Sequence, residues 1–458
     1  MGVDIRSRMA ERLTCAGAEA WVCTGAPAGY AVAGPAPTAT VTPADAAAVA
    51  ATLATAAAEG WGVVPRGAGT QDAWGGCATG RPLLVLDTSR LRGVVAHTPG
   101  DLTARVLPGT TLAELNAYLR PHGQRLPLDP PHAALATIGG VVAGDAWGPG
   151  RAQYGAARDV VLGLAVVDGR GNPFRTGGHV VKNVSGLDVG KLLIGSFGTL
   201  GVLCEVTLKL RPLSAAAATW AVSFGPTHGS THGSTLAPPP GTARAPAQAA
   251  GVLAEPAAWE AAVAVADGPF QPVGVALVAE SGAATLVVRL EGGRAEVADQ
   301  RTGLQARLGA LGRTLDPEAA ARAWAGAREP AGDAAAGLLL RCEVPEGRLP
   351  ELAREVVGGV AGGPAPTRLT AWCGLGTLWC AWAGDAVPGP WALGAVRGVR
   401  AAAERLGGRA VVAACPPAVH DQAEVFGDPG PLLPAFRAIK ARFDPERVLA
   451  PGRFVGAL

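Results

Sequence analysis

ATIGGVVAGDAWGPGR, residues 136–151, is the stretch on which the reading of this chain turns. Gly139, Gly140 and Gly144 carry no side chain, and Thr137 supplies one hydroxyl, so the main chain here can lie directly against a flat ring or a phosphate. A glycine-rich loop with no ligand would read the same way. Upstream, PRGAGT at 65–70 follows a short apolar run, 61–65. Successive N–H groups in such a small-residue turn form a concavity suited to a pyrophosphate; Thr70 adds a hydroxyl and Arg66 a charge. Any tight turn could look like this alone. Neither GxGxxG with a spaced acidic residue nor GxxxxGK[ST] is present. Downstream, Tyr154-Gly155 and DVVLG at 159–163 make the first stretch more specific. GGHVVKNVSGLDVGKLLIGSFGTLGVLCEVTLKLRP at 177–212 then crowds Lys182, Asn183, Ser185, Asp188 and Lys191 into ten residues beside apolar runs. Polar groups at that density need hydrogen-bond partners if buried.

The rest of the chain bounds the answer. Its 458 residues are too many for one ordinary core and imply two or three domains. With 49% apolar residues it can bury a large interior, and a net charge of +2 gives no electrostatic case for nucleic acid. No apolar run reaches the roughly 20 residues of a membrane helix. MGVDIRSRMAERL lacks the apolar core of a signal peptide. We therefore expect a soluble, cytoplasmic chain. Eight Cys are scattered without a CxxC, which argues against a disulfide framework and against iron–sulfur ligation. His228 and His232 fall in THGSTHGST, too rich in Gly and Ser for a helical metal pair, so no metal site is expected. Lys occurs only at 182, 191, 209 and 440 in an Arg-rich chain, so a retained Lys is expected to mark a place where Arg does not substitute.

Periodicity and punctuation predict helices at 45–59, 111–122, 294–311, 317–327 and 395–406. They predict strands at 83–87, 102–107, 160–167, 202–210, 274–279, 284–290 and 338–344. The Pro-rich stretch 214–251 reads as a linker or loop. The expected division is an N-terminal segment 1–36, a mixed α and β block 37–213, the linker 214–251, a domain 252–430 with an antiparallel sheet, and a C-terminal segment 431–458.

The order of the three blocks, with IKARFDPERVLAPGRF at 439–454, resembles the FAD-binding domain of the vanillyl-alcohol oxidase (PCMH-type) superfamily, and within it the E-type FAD-binding subunit family of glycolate oxidase. The resemblance covers most of 37–213 and the last twenty or so residues, and implies an α+β fold: a two-lobed PCMH-type FAD-binding domain, plus an α+β cap domain with an antiparallel sheet. It implies that Pro65, Arg66, Gly67, Ala68, Gly69 and Thr70 cradle the FAD pyrophosphate, that Thr137, Gly139, Gly140 and Gly144 lie along the flavin, and that Gly201 and Val202 pack near the adenine. Pro108, Gly109 and Asp145 complete the implied cofactor set. Lys182 and Asn183, in the subunit family's KNVxGxD string, and Lys440, in the returning tail, are further functional candidates.

The sequence departs from the pattern in places. No His or Cys stands beside the glycines of the first loop, so non-covalent FAD is expected; Cys77 is the nearest thiol. Ala450 stands where Asn-Pro-Gly is common, and Leu187 where Tyr is usual. The HxxxxxxH and GDGNxH strings of the D-type subunit are absent, and His132, His179 and His420 are isolated. The implied function is an FAD-binding subunit of a glycolate-type 2-hydroxy-acid oxidoreductase. It would work with a D-type FAD subunit and an iron–sulfur subunit, and sit at the inner membrane face through them. A self-sufficient FAD-dependent oxidase and a non-catalytic structural flavoprotein subunit are the alternatives.

Overall fold

The computed structural model describes residues 5–79, 81–178, 188–225, 256–280, 282–309, 312–332, 336–384, 387–420 and 422–458. Lys182, Asn183, His179, Leu187, His228, His232 and most of the 214–251 stretch lie outside the described residues. The chain divides into two compact units. One gathers Met1–Gly148, Gly155–Leu213 and Glu424–Leu458; the other gathers Pro149–Tyr154 and Ser214–Ala423.

In the first unit, helix α1 (Ile5–Cys15) and strands β1 (Ala20–Thr24) and β2 (Ala39–Pro43) precede helix α2 (Ala46–Glu59), β3 (Gly62–Arg66) and β4 (Leu83–Asp87). The four strands form a sheet in the order β1-β2-β4-β3. β2 and β3 both run parallel to β4. Parallel neighbours need a crossover, and α2 provides it. Asp45 starts α2 by accepting from the Ala48 N–H at 2.8 Å, and Gly60 ends it in the left-handed region at φ +70°. The apolar run of β4 is explained by its place between β2 and β3, where Leu84, Val85 and Leu86 are fully buried.

A second, antiparallel sheet is built from β5 (Val94–Thr98) and β6 (Thr103–Val106), and, after helix α3 (Leu112–Leu119), the short β7 (Gln124–Arg125) and helix α4 (Ile138–Ala143), from β8 (Val161–Val167), β9 (Pro173–Gly177) and β10 (Val202–Lys209). Its order is β5-β6-β10-β8-β9, and β11 (Arg211–Pro212) pairs separately with β7. Leu115, Leu119, Val142, Leu164 and Val206 form its core. α3 opens on a capping box between Thr111 and Glu114, and the Arg92 Nε donates to Glu114 at 2.8 Å. Arg92 first, then the Thr111 amide, holds the Glu114 carboxyl down to about 2. A folded value below the unfolded one stabilises the fold above pH 4.5, and that contribution disappears as pH falls toward 2. Because the pair is exposed, Glu114→Gln is expected to cost no more than ~1 kcal/mol at neutral pH. The difference from wild type in urea midpoint should shrink below pH 4.5 and vanish near pH 2; an undiminished difference there would refute the assignment.

The N-terminal stretch read as a segment apart is part of this unit's sheet. Met9 and Leu13 are buried against Val49 and Leu53, because eleven residues of helix have no core of their own. The tail joins the unit from Glu424, earlier than residue 431, and runs beside β3: the Val63 N–H donates to Val448 at 2.7 Å, and the Ala450 N–H donates back to Val63 at 2.8 Å.

The second unit is one antiparallel sheet of eight strands: β12 (Ala216–Phe224), β13 (Gly274–Glu280), β14 (Ala283–Gly292), β15 (Gly312–Thr314), β16 (Ala336–Glu343), β17 (Arg368–Cys373), β18 (Thr377–Ala383) and β19 (Arg409–Ala414). Their order is β15-β12-β14-β13-β17-β18-β16-β19. Helices Pro256–Ala266, Arg294–Leu308, Pro317–Arg328, Leu349–Val357 and Gly389–Arg405 accompany it. Pro149–Tyr154 goes with this unit because the Tyr154 hydroxyl donates to Glu291 at 2.8 Å. Trp220, Trp372 and Trp382 are core, and burial pushes the Cys373 thiol up to about 12. Among the described residues no helix is long and apolar enough to cross a membrane, and no group of His, Cys, Asp and Glu could hold a metal.

Candidate functional site

The first unit contains a cleft of about 110 Å³, partly open to solvent. Pro65, Arg66, Gly67, Ala68, Gly69, Thr70, Pro108, Thr137, Gly139, Gly140, Gly144, Gly201 and Val202 all line it. β3 ends at Arg66 and delivers the PRGAGT turn to one wall. Gly69 sits at φ +77°, and a Cβ there would press on the Arg66 guanidinium carbon at 2.7 Å and on Asp72 at 2.9 Å. Among the described residues, the N–H groups of Ala68, Gly69, Thr70 and Gln71 donate to no protein acceptor. Four successive unpaired amides around a left-handed residue make an anion-binding concavity.

The opposite wall starts where Thr137 caps α4, its hydroxyl accepting from the Gly140 N–H at 3.3 Å. Gly139 lies on Pro108, where an added Cβ would meet the proline Cβ at 2.7 Å. Gly144 faces the Gln71 carboxamide, Gly198 packs on Pro65, and Gly201 on Val166. These glycines stand where chain segments converge, and side chains there would fill the slot or force its walls apart. The arrangement fits FAD on two counts: orphaned amides for a pyrophosphate, and side-chain-free walls for a flat ring.

The charge does not come from where the sequence put it. The Arg66 Nε pairs with Asp72 at 2.8 Å, and its Nη2 donates to Ala28 and Gly29 at 3.3 Å. Arg66 therefore braces the turn, its charge matched within the protein. Arg453, in the tail, lines the same cleft. Its Nη2 donates to the Asp72 carbonyl at 3.2 Å and to that of Trp74, while its Nη1 is buried and donates to no acceptor among the described residues. Burial pushes the Arg453 pKa down; Tyr30 and Asp72 push it back up.

Two of the implied cofactor residues are not among the lining residues. Gly109 donates its N–H to Leu91 at 2.7 Å and is wedged against the Thr88 carbonyl. Asp145 follows α4 at φ +44°, with its N–H on Val142. Lys440 does not line the cleft either. Its ammonium is buried and donates to the Thr199 and Leu449 carbonyls at 2.8 Å and to Asp444 at 2.7 Å. All three donors are used, so Lys440 is a structural clamp.

Sequence reasoning missed Val32, Val64, Gln71, Asp72, Thr88, Ala143, Phe197, Gly198, Leu203 and Arg453 as lining residues. Gln71 and Asp72 directly follow PRGAGT, and Arg453 lies inside the quoted tail string, so a signal existed for them. Val32 has none. Phe197, at φ +54°, lines the cleft and packs beside Trp74, Phe426 and Phe454, with ring centroids 5.3–6.2 Å away.

Comparison with known proteins agrees with this geometry. Residues 37–177 match the FAD binding domain family. The chain is 43% identical over 141 residues to glycolate oxidase subunit GlcE of Escherichia coli (strain K12), covering 30% of this chain and 40% of that one. It is 37% identical over 150 residues to glycolate oxidase subunit GlcD of Bacillus subtilis (strain 168), covering 33% and 32%. The chain thus spans well under half the length of these relatives. Among solved structures, Physcomitrella patens BBE-like 1 superposes with a TM-score of 0.67 at 15% identity over 96% of this chain and 97% of that one. Chitooligosaccharide oxidase superposes with 0.61 at 14% identity over 96% and 97%. Residues 37–177 are therefore similar to an FAD-binding domain, and the chain shares the α+β fold of these solved structures.

Proposed function

We propose that this chain is the FAD-binding subunit of a glycolate-type 2-hydroxy-acid oxidoreductase complex, passing electrons to a partner iron–sulfur subunit and working beside a D-type FAD subunit. The observation that carries the proposal is the cleft of orphaned amides and glycine walls, in a chain 43% identical over 141 residues to a glycolate oxidase subunit. Bound FAD would supply the two-electron chemistry. The Ala68–Gln71 amides would hold its pyrophosphate, Gly139, Gly140 and Gly144 would leave room for its ring, and Phe197 would exclude water.

A partner is favoured by what the cleft does not offer. Hydride removal from a hydroxy acid needs a base near the flavin. Among the described residues, the only carboxylate lining the cleft, Asp72, is engaged with Arg66. The same observation supports the second reading, a flavoprotein subunit that stabilises a complex without turning over substrate. Anaerobic addition of glycolate or D-lactate to the flavin-loaded chain separates the two. Bleaching of the visible flavin band only in the presence of the partner subunits supports the first reading. A flavin that never bleaches, even in the complex, supports the second, and bleaching of the isolated chain refutes both.

Non-covalent attachment is proposed because, among the described residues, no Cys or His lines the cleft. Acid precipitation is expected to leave all the flavin in the supernatant; flavin that stays with the pellet would overturn this.

A further inference from the structure

The second unit holds a cavity of about 700 Å³ that the proposed function does not use. β12, β14 and the helices Arg294–Leu308 and Pro317–Arg328 contribute to its walls. Arg289, Arg294, Arg301 and Arg328 line it, and no Asp or Glu does. The whole chain carries 39 basic and 37 acidic residues, so four cations with no facing acid is a local excess.

Among the described residues only one of these charges is matched. The Arg289 Nε pairs with Glu291 at 3.1 Å, and its Nη1 donates to Thr219 at 3.0 Å. Arg294, Arg301 and Arg328 form no ion pair among the described residues. The Arg328 Nε is moreover buried and donates to no acceptor among them. A buried donor without an acceptor is costly to keep, and a ligand oxygen would satisfy it.

The spacing of the groups describes the ligand. Arg294 and Arg301 lie seven residues apart on one helix, two turns or about 10 Å along its axis. Trp324 and Arg328 lie one turn apart on the other helix, and Trp324 lines the cavity with Leu315. Helix positions about 10 Å apart along the axis outreach a two- or three-carbon hydroxy acid. They suit a chain of phosphates, which guanidinium groups bind in bidentate fashion, attached to a flat ring that can pack on an indole. We propose that this cavity binds a small polyanion of the nucleotide class, with phosphates on Arg294, Arg301 and Arg328 and the base against Trp324.

The test is calorimetric titration of the FAD-loaded chain with ADP, inorganic tripolyphosphate and adenosine. Loading with FAD keeps the phosphate cradle of the first unit filled. One ADP per chain is expected, with tripolyphosphate binding and adenosine not. Arg294→Glu with Arg301→Glu, both on an exposed helix face, should weaken ADP and tripolyphosphate about 30-fold while leaving flavin content and spectrum unchanged. Trp324→Ala should weaken ADP about tenfold and tripolyphosphate hardly at all. Absence of phosphate binding, or binding that the double variant leaves intact, overturns the proposal. Tripolyphosphate binding without ADP binding overturns the nucleotide assignment. A chain that takes no flavin would defeat the FAD reading alone, since the arginine variants still report on this cavity.

Discussion

Lys440→Met should be among the most destabilising single substitutions in the first unit. Methionine has similar length but no donors. Asp444, which is fully buried, would keep two backbone partners, the Val448 and Leu449 N–H groups at 2.8 Å, and lose its cation. The Thr199 and Leu449 carbonyls would lose their donor as well. Breaking a buried pair from one side typically costs about 3–5 kcal/mol. In a unit of this size that corresponds to a fall in melting temperature of roughly 6–20 °C. Lys440→Arg should not rescue the protein, since a planar fork does not match three acceptors gathered around one nitrogen. Lys440→Met with Asp444→Asn should be milder than Lys440→Met alone, because the stranded charge is then gone. Thermal unfolding of the three variants decides it; a stable arginine variant would show that the clamp has room to rearrange and would sink the argument.

Gly69→Val acts on binding. The residue lies at φ +77°, which a β-branched side chain resists, and its Cβ would collide with Arg66 and Asp72. The turn must then open, and the amides of Ala68, Gly69, Thr70 and Gln71 no longer converge. Losing one or two charge-assisted hydrogen bonds, each worth about 1.5–3 kcal/mol, predicts flavin affinity lower by about 10- to 10,000-fold. The core of the unit does not depend on this turn, so far-ultraviolet circular dichroism should be unchanged. Flavin titration monitored by fluorescence quenching gives the affinity. Retained affinity would mean that this turn does not hold the cofactor.

Much of this was legible in the chain. Leu83–Asp87 reads as a buried strand because a strand paired on both sides has no polar face to betray it. Thr111 announces a helix start because its hydroxyl and Glu114 satisfy each other's backbone donors. PRGAGT and the Gly139–Gly144 stretch show themselves because a backbone that must approach another group closely tolerates little but glycine. Val32, Thr88 and Phe197 carry no such mark, since their side chains are ordinary and only their position brings them to the cleft. The tail showed itself as a string, but the roles within it were not readable.

Local chemistry alone thus determined the glycine turns, the caps, the buried strands and the likeness to FAD-binding proteins, because each depends on neighbours a few residues away. Only the tertiary structure decided where the charges go. It turned Arg66 onto Asp72, six residues on, and brought Arg453, 381 residues from Asp72, to the cleft. It closed Lys440 inside a ring of acceptors that includes Thr199, 241 residues away. A charge is placed by whichever opposite charge or carbonyl folding brings within 3 Å or so of it, at the cost of leaving it unpaired otherwise. That partner is set by how the tail returns to β3, which no stretch of sequence states by itself.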